Sequence, residues 1–90
     1  MACMLTSRVE VSIVVLGVVR KKRGLPNIVE EWQWQRDLGV DPLARRLYWL
    51  PVMLEMEHHG CEVPGISRND FEESDTIGDI VDAIWAAIGA

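Results

Sequence analysis

Asp37-Leu38-Gly39-Val40-Asp41-Pro42-Leu43 is the stretch whose reading decides the fold. Within it, Asp41 followed by Pro42 marks a helix start. A carboxylate in the N-cap position accepts a first-turn N–H, and proline's fixed φ suits the first helical position, where its missing donor costs nothing. A helix is therefore expected from Pro42 to about His59. Pro51 lies inside it, lacks the donor N–H and crowds the preceding turn, so a kink or break is expected near Leu50. Further on, Pro64-Gly65 marks a loop, and Ser67, Asn69 or Asp70 begins a short helix with Phe71 as its inward anchor. Thr76 with Asp79 three residues later reads as a capping box. After it, Ile77, Ile80, Val81, Ile84, Trp85 and Ile88 recur at helical spacing and form a core face. Toward the N-terminus a long loop runs back from Arg36 to a first helix at residues 8–20.

The 37–43 stretch resembles the Asp-Leu-Gly-x-Asp-Ser-Leu box of acyl carrier proteins, with Pro42 where that family has serine. Three other segments fall in the family's order. Thr76-Ile77-Gly78-Asp79-Ile80-Val81-Asp82-Ala83-Ile84 is similar to its last helix. Met53-Leu54-Glu55-Met56-Glu57 with Gly60-Cys61-Glu62-Val63-Pro64 looks like the end of its second helix and the exit from it. Trp34 stands where carriers place an apolar anchor for the first loop. The resemblance covers residues 34–84. It implies an all-α, acyl-carrier-like bundle of three to four helices with a long first loop, spanning 1–90 as a single domain.

In that family the serine hydroxyl is esterified by phosphopantetheine, whose thiol carries an acyl or aminoacyl group. Proline has no hydroxyl. Asp41, Pro42 and Leu43 thus form a degenerate attachment position that keeps the helix start and loses the chemistry. No cofactor is expected there, and phosphopantetheine only if the attachment site has moved. The span from Asp41 to Gly60 is also about one helical turn longer than in the family. Arg45 and Arg46 occupy the first turn, where the helix dipole favours anions. The candidate partner-facing residues are Arg45, Arg46, Glu55 and Glu57. Met53, Leu54, Ile80 and Ile84 would line either a small core or an acyl tunnel.

Ninety residues, 49% of them hydrophobic, with four tryptophans, permit one folded core and exclude general disorder. Residues 1–24 hold five basic side chains and one acidic, whereas residues 25–90 hold four basic and thirteen acidic. The acidic part repels nucleic acid, and Arg20-Lys21-Lys22-Arg23 reads as a solvated loop after the first helix. The apolar run Val11–Val19 is shorter than the twenty or so residues that span a bilayer. No small-residue cleavage site follows it, so no membrane span is expected and the location is read as cytoplasmic. Its β-branched residues favour a strand, while the resemblance requires a helix, and the helix is preferred.

Cys3 and Cys61 make no disulfide or redox spacing pattern and are expected to be reduced thiols. His58-His59-Gly60-Cys61 reads as a polar helix end rather than a metal site, because adjacent helical histidines point about a hundred degrees apart. Glu55, Glu57 and His58 share a helix without supplying a nucleophile, an oriented base and an oxyanion site, and the glycines are isolated, so no enzyme is expected. Three classes of function remain. The first is a carrier-like module docking on a biosynthetic enzyme or multisubunit complex of fatty-acid, polyketide or peptide assembly. The second is a working carrier modified at Ser67 or Ser74. The third is an unrelated helical adaptor or regulator.

Overall fold

Ser7 opens the first helix of the computed structural model, which describes residues 3–89. Its hydroxyl accepts the Glu10 N–H, and the helix α1 runs over Arg8–Arg23. Gly24 then closes it in the left-handed conformation with its N–H on the Arg20 carbonyl. Val11, Val15 and Val19 face inward at full burial, so the β-branched run is a helix. Its strand propensity is overridden because a four-residue repeat of small apolar side chains packs against two other helices.

The basic cluster is the last turn of α1, not a loop after it. There it complements the helix dipole, and two of its members tie down the loop that follows. Arg20 donates through Nε and Nη2 to the Ile28 carbonyl at 3.0 and 2.8 Å, and Arg23 donates to the Leu38 carbonyl at 2.9 Å. Lys22 Nζ lies 5.3 Å from the centre of the Tyr48 ring.

The expected second helix is divided. α2 covers Pro42–Arg45, a 3-10 turn covers Arg46–Tyr48, and α3 covers Trp49–His58. The break falls about one turn before Leu50. Pro51 offers no N–H to the carbonyl four residues earlier, that of Leu47, and the chain tightens where that bond is missing. Ser67 is the N-cap of α4, Arg68–Glu73, with its N–H on the Asp70 carboxylate at 2.8 Å and Phe71 buried. α5 covers Ile77–Gly89. At its start the Asp79 carboxylate accepts the Thr76 N–H at 3.0 Å, and the Asp79 N–H reaches the Thr76 hydroxyl at 3.2 Å.

α1 packs on α5 and α3, while α2 and the 3-10 turn pack on α4. Among the described residues the extended pairing is a single antiparallel bridge between Gln33 and Thr76. It holds the long loop against the start of α5, with the Trp34 N–H on the Asp75 carbonyl at 3.0 Å. Trp34 is fully buried, with its ring 5.0 Å from that of Tyr48. One connected apolar cluster runs from Leu5 to Ile84, and Ile77, Ile80, Val81 and Ile84 supply the α5 side. Trp85 and Ile88 pack at its edge. Among the described residues no helix is long and apolar enough to cross a membrane.

Cys3 and Cys61 form a disulfide with Cα atoms 4.4 Å apart, which corrects the expectation of reduced thiols. Their separation of 58 residues carries no local signature. The pairing arises because the N-terminal segment lies along the end of α3, with the Met4 N–H on the His59 carbonyl at 2.9 Å and Leu5 buried. Disulfides persist in oxidising surroundings, so the cysteines lend no support to a cytoplasmic location.

Candidate functional site

The start of α2 is positioned from both sides. On the loop side, the Asp37 carboxylate accepts the Gln33 N–H at 2.7 Å, and its own N–H returns to the Gln33 carbonyl at 3.0 Å. These bonds, with Arg36 nearby, hold the Asp37 carboxyl below its ordinary value, the Gln33 N–H having the larger effect. Leu38 and Val40 plug into the core. Gly39 between them has φ +65°, a left-handed turn that favours glycine and lets both neighbours point inward. The Val40 N–H then closes on the Trp34 carbonyl at 2.7 Å.

On the helix side, Asp41 accepts the Ala44 N–H at 2.8 Å, and Pro42 stands exposed at the first helical position. Arg45 is not at the surface. It is 6% exposed and donates to three carbonyls: Val40 through Nε at 3.1 Å, and Glu72 and Ser74 through Nη1 at 3.1 and 2.9 Å. Its proposed partner-facing role gives way to a structural one. The guanidinium fork binds α2 to the last turn of α4 and the residue that caps it, and three charged-donor bonds offset the cost of burying it.

Arg46 remains partly exposed, with Nη1 3.7 Å from the Glu72 carboxylate. Asp41, Leu43, Arg46, Leu47 and Arg68 line a depression of about 570 Å³ beside Pro42. Arg68 also stacks 4.3 Å from the centre of the Trp49 ring, whose Nε1 donates to the Ile66 carbonyl at 2.8 Å. Leu43 and Leu47 are 72% and 67% exposed, and Leu50 and Leu54 continue the exposed row. The exposed leucines thus form an apolar ridge along the depression, beside Arg46, Arg68 and Asp41.

Glu55 and Glu57 lie near the far end of α3 and do not join it. Glu55 lines a groove against α1, and Glu57 lines a recess beside Cys3 and Gly60. Of the four residues expected to line a small core or a tunnel, Ile80 and Ile84 are fully buried and Met53 packs against the same cluster, whereas Leu54 is half exposed. Among the described residues no three His, Cys, Asp or Glu side chains come together as a metal site. Leu47 and Arg68 escaped the sequence reading. The spacing of 4, 3 and 4 through Leu43, Leu47, Leu50 and Leu54 was the available signal for the ridge.

Comparisons of the chain with protein-family models, with curated proteins and with solved structures give no match.

Proposed function

We propose that this chain is a carrier-like docking module that presents the start of α2 to a protein partner and bears no phosphopantetheine arm there. The observation that carries the reading is Pro42: exposed, at the first position of a helix capped by Asp41, and flanked by the Leu43–Leu47 ridge. In the acyl carrier proteins that the 37–43 box resembles, this is the position of the arm-bearing serine. Proline has no oxygen to esterify. The order of a long helix, a long loop, a divided second helix, a short helix and a final apolar helix supports the same reading.

The module acts by binding rather than by chemistry of its own. Arg46 and Arg68 line the depression together with exposed leucines and fit a partner that sets carboxylates beside an apolar strip. An enzyme or multisubunit complex of fatty-acid, polyketide or peptide assembly is the class of partner that the resemblance implies.

The test is the intact mass after incubation with coenzyme A and a broad-specificity phosphopantetheinyl transferase, beside a Pro42→Ser variant. The natural chain stays unmodified and Pro42→Ser gains one phosphopantetheine. If neither changes mass, the carrier relation is lost.

A second reading, a carrier with a relocated arm, is favoured only by Ser67, which is exposed at the N-cap of α4. Ser74 is buried and its hydroxyl donates to the Phe71 carbonyl at 2.7 Å. Modification of the natural chain, mapped by peptide mass spectrometry to Ser67, would replace the first reading with the second.

A further inference from the structure

We propose that α1 is a self-association face on which a second copy of this chain packs antiparallel, its α1 against ours about a two-fold axis between residues 15 and 16. The inference does not depend on the carrier reading.

The first observation is Gly17. It lies exposed in the middle of a sixteen-residue helix, where glycine is less stable than alanine. Nothing within the chain requires it there. A Cβ built on it would meet no atom within 4 Å, and its φ is not positive. Absence of a side chain on an open helix face is useful where another molecule approaches closely. Gly17 lies in an apolar groove of about 580 Å³ with Ile13, Val14 and Val18.

The second observation is charge. Glu10, Val14, Gly17 and Lys21 follow one another at spacings of 4, 3 and 4, which places them on one stripe of α1. Glu10 and Lys21 end the stripe with opposite signs. They are about 16 Å apart along the helix, too far to pair within one chain. Among the described residues Lys21 makes no ion pair.

Antiparallel pairing in which each residue meets the one whose number makes 31 with its own resolves both observations. Glu10 meets the second copy's Lys21, Ile13 meets its Val18, and Val14 fills the space over its Gly17, each contact occurring twice. The register is fixed by the Glu10–Lys21 and Val14–Gly17 pairs, and opposed helix dipoles add to it. A parallel arrangement would set Glu10 on Glu10 and Lys21 on Lys21.

Sedimentation equilibrium from about 1 to 300 μM tests the proposal, with non-reducing denaturing electrophoresis to detect covalent dimers. The natural chain passes from its 10.2 kDa monomer mass to twice that value as concentration rises. Gly17→Gln removes the dimer, and Lys21→Glu raises its dissociation constant at least tenfold. Both variants keep helical circular dichroism; melted as dilute monomers, Gly17→Gln is slightly more stable than the natural chain and Lys21→Glu slightly less, as helix propensity and the helix dipole require. A chain that is monomeric throughout, a covalent dimer, or a dimer indifferent to both substitutions each overturns the proposal.

Discussion

Arg45 donates from Nη1 to the Ser74 carbonyl at 2.9 Å, joining the first turn of α2 to a residue 29 positions later. The same nitrogen reaches Glu72, and Nε reaches back to Val40, so one side chain fixes the candidate docking edge relative to three segments. Removing it leaves three carbonyls short of a donor. Arg45→Met is expected to lower unfolding free energy by about 3 kcal/mol in urea titration. Arg45→Lys should recover less than half, because an ammonium cannot reproduce the fork. Equal stability of Arg45→Met and the natural chain would show that the clamp is dispensable.

The Cys3–Cys61 bridge closes a long loop and restricts the unfolded chain. Its loss by reduction, or in a Cys3→Ser, Cys61→Ser double variant, should cost about 2–4 kcal/mol. Thiol titration of the unreduced, denatured protein should find no free cysteine, and two reactive thiols would refute the pairing.

How much of this was legible beforehand depended on whether the cause was local. Asp41, Thr76 and Asp79 act on N–H groups within three residues of themselves, Pro42 acts through its own φ, and each stands where the sequence placed it. The Ile77–Ile84 face is buried as its spacing required, and Trp34 and Phe71 are buried as the anchors they were expected to be. Arg45 was misread because burial of an arginine is decided by carbonyls 27 and 29 residues away, and sequence alone shows only a charge in a first helical turn. The disulfide was missed for the same reason. The exposed leucines were obscured differently: their 4, 3, 4 spacing shows one apolar stripe, but whether such a stripe faces the core or the solvent is decided by what packs against it.

Acid should destabilise the fold through Glu30. Arg8 donates to its two oxygens at 2.6 and 3.1 Å, and the Ser12 hydroxyl donates as well. These bonds hold the Glu30 carboxyl below its usual 4.5, the Arg8 contribution being largest. A pKa lower in the folded state gives stability that is present above the unfolded value and disappears as pH falls through the folded one. The urea midpoint should therefore be flat from about pH 7 to 5 and fall below pH 4.5. Asp37 and Glu10, also shifted down by hydrogen bonds, act in the same direction. Glu30→Gln should cost about 1 kcal/mol at pH 7, a modest figure because Arg8 is more than a third exposed. It should also flatten the acid limb, and a limb unchanged in that variant would assign it to other carboxylates.

Asp41→Ala and Pro42→Ser separate the helix start from the lost chemistry. Asp41 supplies a bond to the Ala44 N–H, so its truncation should cost about 1 kcal/mol. Pro42 supplies only a fixed φ at an exposed position, and serine there should cost at most about 1 kcal/mol through the freer unfolded chain. The double variant should be close to additive in urea titration if the two act on different states, Asp41 on the folded helix end and Pro42 on the unfolded ensemble. Strong coupling would instead mean that proline holds Asp41 in its capping geometry, and Pro42→Ser would then disturb the docking edge as well as restore a hydroxyl to it.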